Sequence, residues 1–377
     1  MPAAQLTSYF VHQLLRARDW QHRPQFDEVR KWWRDGGRGV LALVGMGGAG
    51  KTAIAERFLR VLPGGLPNDP DIAKDVTLRT PDSVFVFSFY DAPNPEAFFE
   101  AIQMWLEGSP RVENALSMQQ LSFNLQNTSG LLVLDGLEKV QEDGVRGLLG
   151  RLSSPKLREF LDRIAAGYFS ALSVLVTSRF TLADLRDARP QFFRTLPIDE
   201  IEVPAGIELL RARGVRGTDP QLASIVEACG RHALTVDFAG GYIAEFGGGD
   251  PATPVDFKMD AAELRQNLDE EPDEARRHVL KQGHRFARLA ERYRDAMLGG
   301  PADQVSPVFL HLNCFYGHAL ANYKAAYSIK TNSLLLSIAR QNAAMPCVVM
   351  KVADSRDSTA SGARLQHSQN ARSICLL

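Results

Sequence analysis

The chain has 377 residues, enough for about two or three modest domains with a sizeable core in at least one, and no run of about 18 apolar residues that would span a bilayer. A formal net charge of -1 gives neither nucleic acid nor an anionic membrane an electrostatic hold on the molecule as a whole. Cys229, Cys314, Cys347 and Cys375 stand far apart with no C-x-x-C pair, which argues against a zinc ribbon or a disulfide framework and fits a reducing compartment.

The first twenty residues carry Arg16, Arg18 and Asp19 without a continuous apolar stretch, so no signal peptide is expected, and a soluble cytoplasmic protein is. Residues 1–37 read as a helical lead-in. Tyr9, Phe10, Leu14 and Leu15, then Phe26, Val29, Trp32 and Trp33, supply its apolar contacts; the helical spacing of the Trp pair from Val29 assigns it to a core, and Gly36 with Gly37 closes the segment.

A nucleotide-binding domain is expected over residues 38–200. Val40, Leu41, Ala42, Leu43 and Val44 form an apolar run of buried-strand length. Gly45, Met46, Gly47, Gly48, Ala49, Gly50, Lys51 and Thr52 fill every position of G-x-x-x-x-G-K-[ST], and residues 53–62 begin with Ala53 and carry Ile54, Phe58, Leu59 and Leu62 on one helical face. Strand, glycine-rich loop and helix form the context that this motif requires.

The residue types answer to the chemistry of a triphosphate. A polyanion has to be wrapped by backbone N–H groups, so Gly45, Gly47, Gly48 and Gly50 leave the loop bare and free to adopt positive φ. The helix that starts at the loop directs unpaired N–H groups and the positive end of its dipole at the same anion. Lys51 adds a full charge at the β- and γ-phosphates, and the Thr52 hydroxyl is a ligand for Mg²⁺.

Further along, Val84, Phe85, Val86 and Phe87 head an aromatic and β-branched run that stops before Pro93, with a helix to about Leu106. Leu131, Leu132, Val133 and Leu134 end in Asp135, a carboxylate at the C-terminal end of a buried strand, where the second Mg²⁺-binding group of a nucleoside triphosphatase belongs. Glu138 either polarises an attacking water or solvates the loop; the sequence leaves both open. Ser154 and Pro155 start another helix, and the strand from Leu172 to Val176 ends in Thr177, Ser178 and Arg179. Arg179 either meets a γ-phosphate or lies solvated. The alternation predicts an α/β fold, a parallel sheet of P-loop NTPase type covered by helices on both faces, followed by a small all-α domain.

That helical domain is expected over 201–249, as three amphipathic helices near 205–213, 220–229 and 234–246. Residues 250–300 read as a linker and a charged amphipathic helix with Val279, Phe286, Ala290, Tyr293 and Met297 along one stripe. Residues 301–377 form a tail of atypical composition, without glutamate and without a periodic pattern, and are expected to be poorly ordered.

With these elements assigned, residues 20–246 resemble the STAND class of regulatory P-loop ATPases, of the NB-ARC type. The segment from Leu41 to Thr52 looks like the family P-loop, that from Leu131 to Glu138 like its Walker B, that from Val174 to Arg179 like its sensor strand, and Cys229, Gly230, Arg231, His232, Ala233 and Leu234 like the turn of its attached helical domain. The resemblance implies ATP/ADP and Mg²⁺ as ligands, Arg179 as γ-phosphate sensor, and packing of His232 on the adenine. It implies protein partners or self-assembly in signalling or defence, with slow ATP hydrolysis; the charge balance and the lack of an apolar span lead to the expectation of neither membrane nor nucleic acid as partner. Ala233 stands where the family has proline, and His22, Arg23 and Pro24 where it has a Gly-Arg pair. Two rival readings are a DNA-handling ATPase of AAA+ type and a truncated nucleotide-binding module without switching.

Overall fold

A computed structural model describes residues 7–17, 19–107, 117–126, 128–142, 149–169 and 171–255. The expected charged helix over 260–298 and the tail over 301–377 lie outside the described residues. Six strands are described: β1 (Tyr9–Phe10), β2 (Gly39–Val44), β3 (Val84–Ser88), β4 (Gly130–Asp135), β5 (Leu172–Ser178) and β6 (Phe193–Pro197). They form one sheet in the order β1-β3-β4-β5-β2-β6, and every pairing is parallel. The four inner strands β2, β3, β4 and β5 are buried along their whole length, as near-continuous apolar runs have to be when both faces are covered.

The two-residue period of the strands divides the core cleanly. Val40, Ala42, Phe85, Phe87, Leu132, Leu134, Val174 and Val176 point to one face, packed against α3 (Pro95–Glu107), α4 (Met118–Gln126) and α5 (Pro155–Ala165). Leu41, Leu43, Val84, Val86, Leu131, Val133 and Leu175 point to the other, packed against α1 (Pro24–Arg34) and α2 (Lys51–Val61). Phe98 is the hub of the first layer: its ring lies 5.1–6.1 Å from those of Phe85, Phe87, Phe89, Phe99 and Phe160, tilted or edge-on to each. Trp33 is fully buried in the second layer, donates Nε1–H to the Arg79 carbonyl, and carries the Arg79 guanidinium 3.6 Å above its ring. Trp32, its neighbour, is only half-buried.

Beyond the sheet, α6 (Val203–Ala212), α7 (Asp219–Ala228) and α8 (Ala233–Gly247) share a third apolar cluster built on Leu210, Leu222, Val226, Val236 and Ile243. Thr218 starts α7 with a capping box closed by Gln221, and Gly248 ends α8 in the left-handed conformation.

The lead-in departs from the helical expectation at its start. Tyr9 and Phe10 pair with Phe85 and Val86 as an edge strand, extended by the Ser8 hydroxyl accepting from Val84 N and His12 Nδ1 accepting from Ser88 N. A two-residue strand has no period for a sequence to display, and its two aromatic side chains serve opposite faces of the sheet. Strand β6 and helix α4 were also absent from the sequence reading. β6 is an edge strand that mixes Arg194 and Pro197 with its apolar residues, and α4 buries only Leu121 and Leu125.

The Phe98 hub leads to a stability prediction. Phe98→Ala is expected to destabilise the fold by about 3–5 kcal/mol, whereas Phe123→Ala, at an exposed position of α4, should stay within about 0.5 kcal/mol. Urea unfolding of the two variants against the parent measures both.

Candidate phosphate-binding site

Because all strands are parallel, their C-terminal ends share one edge, and the loops that leave β2, β3, β4 and β5 meet there. The loop after β2 is shaped by its glycines in two ways. Gly48 and Gly50 sit at φ 80° and 96°, conformations that L side chains rarely adopt, and Gly50 is the N-cap of α2. Gly45 and Gly47 are not in that region; they are bare because other groups crowd them, the Ile198 carbonyl at Gly45 and the Arg179 guanidinium at Gly47. Gly50 has no side chain to cap α2, and the first turn of α2 carries no acidic residue, so the helix presents its N–H groups and dipole uncompensated.

Lys51 is buried at the start of α2 and donates Nζ–H to the carbonyls of Gly45 and Met46, both at 2.7 Å. Burial lowers its pKa to about 8; neighbouring Arg179 acts in the same direction, and Glu138 and Asp135 oppose it. Thr52 donates to Asp135 Oδ1 at 2.7 Å, and Thr177 of β5 donates to the same oxygen at 2.6 Å while accepting from Gly136 N at 2.9 Å. Burial raises the Asp135 pKa to about 6, assisted by the charge of Glu138 and resisted by the two threonine hydrogen bonds and by Lys51. A hydroxyl and a carboxylate in direct contact are hard oxygen donors of the kind that hold Mg²⁺ together with phosphate oxygens and water. Among the described residues no group of three or more His, Cys, Asp or Glu side chains forms a protein-only metal cage.

Glu138 lies in the 3-10 turn Leu137–Val140 directly after β4, its side chain buried. Its Oε1 accepts from the Tyr90 hydroxyl and stands 3.1 Å from Arg179 Nε, an ion pair whose angle falls short of a hydrogen bond; Oε2 is buried with no hydrogen-bond partner. The Arg179 guanidinium lies against Gly47, where a Cβ would stand 3.1 Å from Nη2. Lys51, Thr52, Asp135, Glu138 and Arg179, chosen from stretches far apart in the chain, therefore meet around one loop. His232, the N-cap residue of α8, is also there: Nε2 contacts the Gly47 carbonyl at 2.9 Å and Nδ1 contacts the Thr235 hydroxyl at 2.8 Å. A carbonyl can only accept, so Nε2 carries the proton and Nδ1 takes the hydroxyl hydrogen. Leu234 closes on the same loop, 2.7 Å from where a Gly48 Cβ would stand. Met46 and Ala49 pack into the α1–α2 layer, and Ala53 follows Thr52 in the first turn of α2.

Two residues of this assembly were not among the sequence candidates. Arg23, buried, donates to the Ala49 carbonyl through Nη1 and to the carbonyls of Glu200 and Asp199 through Nη2 at 3.0 and 3.4 Å. Its partners are distant in sequence, and the signal for it is its place at the Gly-Arg pair of the resemblance, where His22 stands instead of glycine. Tyr90 had a weak signal, its position just past the end of a buried strand, the same rule that singled out Asp135 and Arg179.

No family model matches the chain. A curated relative, the uncharacterized WD repeat-containing protein alr2800 of Nostoc sp. (strain PCC 7120 / SAG 25.82 / UTEX 2576), is 23% identical over 235 residues, which is 60% of this chain and 18% of that protein. The chain thus spans less than a fifth of the length of this relative. Similar solved structures include the Walker-type ATPase PABY2304 of Pyrococcus abyssi, with 12% identity, 88% and 91% of the two chains covered and a TM-score of 0.41. They also include the STAND protein with a tetratricopeptide repeat sensor PH0952 from Pyrococcus horikoshii, with 12% identity, 87% and 50% covered and a TM-score of 0.38. Drosophila ORC bound to DNA has 13% identity, 85% and 71% covered and a TM-score of 0.37.

The buried Asp135 makes a prediction with a definite sign. A carboxyl whose folded pKa is raised costs stability wherever it is ionised in the unfolded chain, fully above about pH 6 and less and less as the pH falls toward 4. Without nucleotide or Mg²⁺, Asp135→Asn is expected to stabilise the protein by roughly 2–3 kcal/mol at pH 7.5, with the gain shrinking toward zero at pH 4. Denaturant titrations at the two pH values measure this.

Proposed function

We propose that the chain is an ATP/ADP-binding regulatory switch of the STAND, NB-ARC-like type, in which residues 38–200 bind the nucleotide and residues 201–249 act as a lid. The observation that carries the reading is the contact between the first turn of α8 and the phosphate loop, made by His232 at Gly47 and Leu234 at Gly48. A helical unit seated on a P-loop is coupled to whatever the loop holds. In a simple nucleotide-binding sheet nothing obliges a separate helical apolar cluster to touch the loop backbone.

In this reading the loop N–H groups and the start of α2 take the phosphates, and Lys51 neutralises them. Their charge favours the ammonium form and opposes the lowering of its pKa by burial. Thr52 and Asp135 hold Mg²⁺, which supplies charge neutralisation at the β- and γ-phosphates. ATP shifts the lid equilibrium only through contacts that ADP lacks, and in this reading Arg179 makes one; its position against Gly47 supports that role. His232, its ring engaged on the loop, reports nucleotide state to the lid. Hydrolysis is slow and serves to reset the switch. The partners are adenine nucleotide and other protein chains, or further copies of this one. The match to a much longer WD repeat-containing protein fits a nucleotide module within a larger regulator.

The test is to denature the purified protein and identify the released nucleotide by chromatography. Stoichiometric ADP is the expected result. Lys51→Ala should release none and should bind added ADP or ATP at least ~100-fold more weakly, the scale set by removing a charged contact from a desolvated site. Retention of nucleotide by Lys51→Ala at the parent level would sink the assignment.

A further inference from the structure

Tyr90 lies just past β3, and its ring covers the turn that follows β4. A Cβ on Gly136 would stand 2.6 Å from Cδ2 and Cε2 of the ring, and Lys139 Nζ lies 5.4 Å from the ring centroid. From this seat the hydroxyl donates to Glu138 Oε1, the oxygen that Arg179 Nε approaches from elsewhere. The two carboxylate oxygens are therefore unlike. Oε1 is held by a phenol and a guanidinium, and Oε2 is buried with no hydrogen-bond partner. Native proteins seldom leave a buried carboxylate oxygen bare, and where they do, a catalytic role is one of the standard reasons.

Arg179 cannot serve as the permanent holder of Glu138. Its guanidinium lies on Gly47 of the phosphate loop, and its contact with Oε1 lacks hydrogen-bond alignment. A terminal phosphate carries more charge than a carboxylate and offers a guanidinium bidentate geometry. Tyr90 is neutral and is fixed by its ring against Gly136, so the phosphate charge does not draw it away.

We infer that Tyr90 is a positioning residue that holds Glu138 by Oε1, leaving Oε2 to accept a proton from the water that attacks the γ-phosphate, and that it keeps Glu138 in place when Arg179 turns to that phosphate. The inference rests on the nucleotide reading above. In the reaction, the water oxygen bonds to the γ-phosphorus and its proton passes to Oε2. The bond from that phosphorus to the β–γ bridging oxygen breaks with its electron pair on the departing ADP, and inorganic phosphate is the second product. Tyr90 touches neither water nor phosphate in this scheme.

The experiment measures steady-state ATP hydrolysis with Mg²⁺, and ATP binding, for the full chain and for Tyr90→Phe, Glu138→Gln, the Tyr90→Phe/Glu138→Gln double variant and Lys51→Ala. Tyr90→Phe keeps the ring over Gly136 and removes only the hydroxyl. It is expected to lower kcat about 10-fold or more with KM and ATP affinity within about twofold, and to have no further effect in the Glu138→Gln background, since the two residues act as one unit. Parent-level kcat in Tyr90→Phe overturns the inference, as does a loss that multiplies with that of Glu138→Gln, the signature of a purely structural role. Lys51-dependent ATP binding with no turnover in the parent overturns it while leaving the nucleotide reading standing. Failure of the parent to bind nucleotide removes both.

Discussion

A single carboxylate oxygen ties three elements of this fold together. Asp135 Oδ1, at the end of β4, accepts from Thr52 at the start of α2 and from Thr177 at the end of β5. Because β5 lies between β2 and β4, the strand that leads into the phosphate loop is two sheet spacings, about 10 Å, from the strand that carries the carboxylate. The loop has to turn back across β5 for Thr52 to reach Asp135, and the positive φ values of Gly48 and Gly50 make that turn possible. Burial shifts both ionisable groups at the centre toward their neutral forms, Asp135 upward and Lys51 downward. Such a site is under electrostatic tension that ligands of the complementary charge relieve, a cation beside Asp135 and an anion at Lys51.

The sheet and the loop were legible in the sequence because their signals are local and dense. Each inner strand is an unbroken apolar run, and the P-loop spells out its own backbone requirements. Arg179 and Asp135 were legible by position, as polar residues just past buried strands. What the sequence hid is of two kinds. β1 and β6 are edge elements whose side chains are only partly covered, so they display no period, and Tyr9 and Phe10 read as apolar contacts of a helical lead-in. Arg23, Tyr90 and the loop contact of His232 depend on pairings between residues from 26 to 185 positions apart, which spacing does not encode.

Those long-range contacts share a feature that bears on anion binding. His232 donates to the Gly47 carbonyl and Arg23 to the Ala49 carbonyl. Within a peptide unit the carbonyl of one residue is conjugated with the N–H of the next, so a donor on the Gly47 oxygen polarises the Gly48 N–H, and one on the Ala49 oxygen polarises the Gly50 N–H. Cooperative strengthening of this kind amounts to about 10–30% per hydrogen bond. The carbonyl side of the loop is thus pinned from outside, and the amides are fixed and made stronger donors toward any anion they face.

The two clamps come from different parts of the chain. Arg23 precedes α1 and also grips the carbonyls of Asp199 and Glu200, where the chain leaves the sheet for α6, so it binds the loop to the root of the helical unit. His232 sits at the start of α8, and the residue before it is tied to the same root, the Arg231 carbonyl accepting from Ile201 N at 2.8 Å and Arg231 Nε donating to the Ile201 carbonyl at 2.9 Å. By reciprocity, an anion that draws on the Gly48 N–H strengthens the hold of His232 on the Gly47 carbonyl, so the two contacts reinforce one another.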